Sequence, residues 1–224
     1  DVYKRQMVIY ALITIAIFGM WYYARYEGNF LPSPKKTFNP MMLVAIVILV
    51  PGTQFAANFI ANLTGYIRPD WLQQYNELFE TSGITDTTFV TVLYSVILAP
   101  ICEELIFRGV TMRCARKALP FALANLIQAA LFGLFHLNWI QGIYAFALGI
   151  VLGYVCERGG SIYYSIGLHL LFNLWGTLSG FFPDPGNSVV IFVIVIAVTI
   201  VSLVVGFVLF NKGRRKLPIN STGI

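Results

Sequence analysis

The chain has 224 residues, 58% of them hydrophobic and only 11% charged, with a mean hydropathy of +0.74. A soluble domain carries about 25% charged residues, so this composition excludes a water-soluble globular domain and points to an integral membrane protein. The formal charge of +5 sits in short clusters between apolar runs, which reads as membrane topology and excludes a nucleic-acid partner.

A membrane-spanning helix needs about 20 apolar residues at roughly 1.5 Å rise each. Apolar runs fall at 7–24, 41–63, 87–113, 119–138, 141–156, 161–180 and 188–210. The run at 141–156 is short for a span, which suggests a tilted or re-entrant segment. The expected fold is therefore all-α: a polytopic transmembrane bundle of about seven to eight spans, forming one domain over 1–224. Because the chain opens on Asp1, residues 1–6 read as a processed or non-native start, and an eighth span would precede them. No small-residue cleavage site follows the first run, so it is not a signal peptide. Pro-rich punctuation, LPSPKKTFNP at 31–40 and FPDPGN at 182–187, separates several runs.

Between the second and third runs lies RPDWLQQYNELFETSG. Trp71, Leu72, Tyr75, Leu78 and Phe79 recur there at helical spacing, with Gln73, Gln74 and Glu77 opposite. This predicts a short amphipathic helix at the membrane interface, N-capped by Asp70, serving as an anchor or a lid. Ala145, Gly149 and Gly153 repeat every four residues, a small-residue stripe that lets helices approach closely in lipid. Cys102, Cys114 and Cys156 form no CxxC and read as small core residues. Placing the C-terminal NKGRRK in the cytoplasm gathers Arg158, the Arg108–Lys117 cluster and the Arg25–Lys36 cluster on that same side. Lys4, Arg5 and Arg68 are left on the other.

The third run contains ICEELIFRG, residues 101–109. Ionisable side chains at mid-membrane cost about 2.5–3.5 kcal/mol each even on the lenient insertion scale, so they are candidates for function. Glu104 and Arg108 stand four apart with the carboxylate first, the favoured order for a helical ion pair. Glu103 points about 100° away and is the spare carboxylate. Pro100 removes a backbone donor nearby and is expected to bend the helix and free carbonyls. Both histidines of the chain, His136 and His169, fall in apolar runs; Phe132 precedes His136, and Asn173 follows His169, by one turn. Counting from the basic turns puts Glu103 at about 21 Å, His136 at about 27 Å, His169 at about 15 Å and Asn173 at about 20 Å of depth, so the four can meet.

A carboxylate, two imidazoles and a carboxamide suggest hydrolysis. Glu103 would take a proton from water, His136 would help orient that water, and His169 and Asn173 would donate to the oxyanion of an attacked amide. The alternative is a zinc site with Glu103, His136 and His169 as ligands, although the chain has no HExxH. A serine nucleophile is disfavoured by the lack of GxSxG.

Taken in order, Glu103-Glu104-xxx-Arg108, Phe132-xxx-His136 and His169-xxx-Asn173 resemble the three motifs of the CAAX-protease and bacteriocin-processing (Abi, CPBP) family of intramembrane endopeptidases. The stretch ERGGS, eight residues before His169, is similar to bacterial members. The resemblance spans about residues 85–180. It implies an intramembrane protease with Glu103 as catalytic carboxylate, completed by His136, His169 and Asn173, with Glu104, Arg108 and Phe132 in support. Its substrates would be membrane-bound proteins or peptides, of CAAX type or in bacteriocin and signal-peptide processing. No cofactor is required in this reading, and zinc is the alternative. The expected location is the bacterial cytoplasmic membrane, with the C-terminus cytoplasmic. The competing reading is a non-catalytic bacteriocin-immunity or scaffold protein.

Overall fold

The computed structural model describes residues 2–30, 38–82, 88–179 and 188–214. Every apolar run is a helix: α1 Val2–Phe30, α2 Pro40–Ile67, the helical rod α4 Phe89–Arg116, α5 Phe121–Phe135, α6 Trp139–Gly159, α7 Ile162–Ser179 and α8 Val189–Gly213. The interfacial segment forms α3, Pro69–Ser82. No strand occurs among the described residues. The Pro-rich segments at 31–37 and 182–187, and Arg215 and Lys216 of the C-terminal basic cluster, lie outside the described residues.

Among the described residues, five helices are long and apolar enough to cross a membrane: Arg5–Ala24 within α1, then α2, α4, α6 and α8. The two remaining apolar runs form α5 and α7. Helix α5 has 15 residues, about 22 Å of rise, against a hydrocarbon core of about 30 Å. Helix α7 has 18 residues and is diluted by Ser165, His169, Asn173 and Thr177. The run at 141–156 was expected to be short; α6 instead has 21 residues. Its ends are polar, and an apolar count misses them: Asn138 caps the start through the Gln141 N–H, and Glu157 and Arg158 continue the last turn.

Helices α2 and α8 form the main antiparallel pair. Pro51 interrupts α2, and Ser202 of α8 repairs the gap. Its hydroxyl accepts from the Gly52 N–H at 2.9 Å and donates to the Ile48 carbonyl. At one end of the pair, Asn39 caps two helices: its Oδ1 accepts from the Met41 N–H, and its Nδ2 donates to the Gly213 carbonyl at 2.7 Å. Leu49, Leu152, Tyr164, Leu168 and Phe210 fill the core between α2, α6, α7 and α8. A second core of Leu105, Met112, Ala124, Cys156 and Ile162 joins α4 to α5, α6 and α7. Cys102 and Cys156 are buried as expected, but Cys114 is exposed near the end of α4, where basic residues mark the membrane surface.

The basic helix ends share one side of the bundle. Arg116 at the end of α4 donates to Glu157 at the end of α6 at 3.1 Å. On the other side, α3 is tied to the start of α6 by Trp71 stacking on Trp139 at 5.3 Å. Asp70 does not cap α3. It lies inside the first turn, because Pro69, which needs no N–H partner there, opens the helix. Its carboxylate accepts both Arg68 Nε at 2.9 Å and Nη2 at 2.6 Å, and this hydrogen bonding holds it below the usual carboxylate range. Tyr75 shares a hydrogen bond with Tyr144 of α6, and burial pushes its phenol up.

Candidate active site

Helix α4 changes geometry where its charged residues sit. Two π-helical stretches, Leu93–Leu98 and Leu105–Met112, bracket the α-helical segment Ala99–Glu104. Such widened turns are concentrated at functional sites. Across the first, the Ala99 N–H reaches back to the Tyr94 carbonyl. The next residue is Pro100, which has no N–H. The Ser95 carbonyl therefore lacks a helical donor on either register, and Asn173 of α7 supplies one at 2.8 Å.

Immediately after Pro100 the two carboxylates diverge. Glu104 and Arg108 have fully buried side chains and pair at 2.7 Å. The same Glu104 Oε1 lies 2.9 Å from His169 Nδ1. Glu103 keeps 15% of its side chain exposed, and its Oε2 stands 3.6 Å from His169 Nε2. One imidazole thus bridges both carboxylates, a nitrogen to each. Since a carboxylate accepts, the short contact makes Nδ1–H the donor to Glu104.

Phe132 of α5 gathers the remaining groups. Its ring meets His136 at 4.9 Å and His169 at 5.7 Å, both edge-on, and Arg108 Cζ lies 4.5 Å from its centroid. Aromatic faces attract such cations. His136 occupies the C-cap of α5 and not a mid-helix position. Its Nδ1 lies 2.8 Å from the Phe132 carbonyl, one of the carbonyls orphaned at a helix end. A carbonyl can only accept, so Nδ1 carries the proton and Nε2 keeps a free lone pair. Leu137 follows at φ 54°, a left-handed conformation that stops the helix beside the imidazole.

Glu103, Glu104, Arg108 and His169 therefore meet directly. His136 joins them across the Phe132 ring, and Asn173 lies one turn along α7. The zinc alternative would use Glu103, His136 and His169; among the described residues no group of three or more His, Cys, Asp or Glu is arranged to hold a metal ion. Two further residues were missed by the sequence reading. Asn125 and Gln128 of α5 are buried, and Gln128 donates to the Gly149 carbonyl at 2.9 Å, the same oxygen that Arg108 Nη2 reaches at 3.2 Å. The signal was present, since carboxamides three residues apart in an apolar run are as conspicuous as histidines.

Residues 85–175 match the family model described as type II CAAX prenyl endopeptidase Rce1-like. No curated protein and no solved structure matches the chain. The matched segment holds all seven motif residues, from Glu103 to Asn173. Over residues 85–175 the chain is thus similar to Rce1-like type II CAAX prenyl endopeptidases, consistent with the CAAX-protease and bacteriocin-processing family that its motifs resemble.

Proposed function

We propose that the protein hydrolyses peptide bonds of membrane-associated proteins or peptides within the bilayer, with Glu103 as the general base. The observation that carries this reading is the unequal use of the two carboxylates. Glu104 is fully buried and committed to Arg108 and His169, whereas Glu103 is partly exposed and meets only the far nitrogen of the same ring. A base must be free to take a proton, and Glu103 is the free one.

In this mechanism Glu103 removes a proton from water, and the oxygen attacks the scissile carbonyl. His136 orients the water by accepting its second O–H at Nε2. Asn173 spends one amide hydrogen on Ser95 and offers the other to the oxyanion. With Nδ1–H committed to Glu104, His169 faces the substrate through Nε2 and, when that nitrogen is protonated, donates to the same oxyanion. Collapse of the tetrahedral intermediate breaks the C–N bond, and Glu103 returns its proton to the departing amine. No step is routed through a metal.

The family match supports a chain ending in a prenylated CAAX sequence as substrate; a bacteriocin or signal peptide is the alternative that the motif resemblance adds. The shared side of Arg116, Glu157 and the other basic helix ends supports a cytoplasmic placement of that face and of the C-terminus, in a bacterial cytoplasmic membrane. The test compares peptide termini by mass spectrometry in cells expressing the wild type or Glu103→Gln at matched levels. Termini present only with the wild type are expected. Cleavage retained by Glu103→Gln would overturn the assignment of the base.

A further inference from the structure

The geometry points to Gln128 as a positioning residue that acts on the reaction through Arg108; this rests on the protease reading given above. Gln128 is fully buried in the middle of an apolar helix. Burying a carboxamide there is unfavourable unless its hydrogen bonds are used, and its Oε1 has no protein partner. Packing alone would favour Leu or Met at such a site. What Gln128 uses is its NH2 group.

That group donates to Asn125 Oδ1 at 2.7 Å and to the Gly149 carbonyl at 2.9 Å. The orientations are fixed by backbone acceptors. Gly149 O can only accept, so the NH2 of Gln128 must face it. Asn125 Nδ2 donates to the Ile150 carbonyl at 3.1 Å, which turns Asn125 Oδ1 towards Gln128. Arg108 Nη2 reaches the same Gly149 carbonyl from α4. From there a continuous line of contacts runs through Arg108 Nη1 to Glu104 Oε1, on to His169 Nδ1, and from Nε2 to Glu103. Helices α5, α6, α4 and α7 each contribute a member. Gly153 keeps the space open, since a Cβ there would collide with Asn125 Oδ1 and lie 2.7 Å from Gln128 Nε2. Gln128 and the guanidinium thus share one anchor, and the guanidinium sets which way Glu104 presents its oxygen to His169.

The chain has two histidines, so the ring nitrogens of 15N-histidine-labelled protein in detergent micelles can be assigned with His136→Gln. Gln128→Met, close in size and without donors, should move the His169 nitrogen resonances. It should also lower kcat on an internally quenched prenylated CAAX peptide by about tenfold to a hundredfold, with KM changed less than about twofold, as expected for a small misplacement of the reacting groups. Asn125→Ala, which leaves Gln128 in place but unfixed, should move the same resonances in the same direction by less. Ala124→Gly, a packing loss on the same helix, should leave them unmoved. Superimposable His169 resonances in Gln128→Met overturn the proposal, whether or not kcat falls, because the effect would then not pass through Arg108. If the wild type leaves that peptide uncleaved but the resonances move, the link from Gln128 to His169 stands and the prenylated-CAAX substrate falls.

Discussion

Asn173 donates its side-chain amide to the Ser95 carbonyl at 2.8 Å, an oxygen that the widened turn and Pro100 together leave without a backbone donor. The same carboxamide is thus a helix patch and, in the proposed mechanism, an oxyanion donor. The two roles separate in a double-mutant cycle. Pro100→Ala restores an N–H within reach of Ser95, so Asn173→Ala should destabilise the wild-type background by about 1 kcal/mol more than the Pro100→Ala background. Cleavage should be lost with Asn173→Ala in both. Thermal unfolding in detergent reads the first effect and peptide turnover the second.

The paired carboxylates should fail in different ways. Glu103→Gln removes the base and leaves the fold, so its unfolding temperature should match the wild type while cleavage disappears. Glu104→Gln leaves the Arg108 guanidinium buried without its counter-charge, which costs about 3–5 kcal/mol in such pairs. A large drop in thermal stability for Glu104→Gln alone is expected. Equal drops would show that Glu103 is structural.

Chelation supplies a third test. Glu103, His136 and His169 do not converge into a three-donor cluster, so peptide cleavage should survive prolonged treatment with EDTA or 1,10-phenanthroline. Activity lost on chelation and regained with zinc would mean that the three side chains close around an ion during turnover.

Ser202 offers a test remote from the chemistry. Ser202→Ala leaves the buried Gly52 N–H without its partner beside the Pro51 interruption, at a cost of about 1–3 kcal/mol. Turnover at low temperature should be unchanged. Loss of turnover without loss of stability would tie the α2–α8 pair to the active site.

Helix α3 can be probed through Tyr75, whose hydroxyl is bonded to Tyr144. Tyr144 packs on the cluster of Phe107, Phe132 and Ala145. Tyr75→Phe should raise proteolytic susceptibility within α3 while leaving the core intact. If α3 acts as a lid, KM on the quenched peptide changes as well; if it is an anchor, KM stays the same.

Much of this was legible in the residues, because apolar length and one-turn spacing are local properties. The seven runs became helices, and Glu104 with Arg108 paired as their spacing required. The spare position of Glu103 also followed from helix geometry. Asp70 misled, since Pro69 is so favourable at a first helical position that the helix began one residue early. The length of α6 was underestimated because capping residues are polar and look like loop. The widened turns on either side of Glu104 had a single local hint, Pro100. Asn125 and Gln128 bond to the Ile150 and Gly149 carbonyls of another helix, and no pattern along one helix reveals which backbone oxygen will be shared.

Helix α5 is about 22 Å long, and it ends at His136 with a non-helical turn. Exposed backbone is tolerated at membrane depth only where protein or water covers it. Trp71 of the interfacial helix α3 stacks on Trp139, three residues beyond His136, so the turn lies at the membrane interface, where acyl-chain length decides whether hydrocarbon reaches it. In vesicles of short-chain phosphatidylcholines the headgroup layer meets the end of α5, and hydration of the imidazole is unobstructed. In long-chain vesicles the same end is drowned in hydrocarbon, and mismatch is relieved only by local deformation of the lipid. Turnover that declines with lipid thickness, at constant protein stability, is the expected outcome.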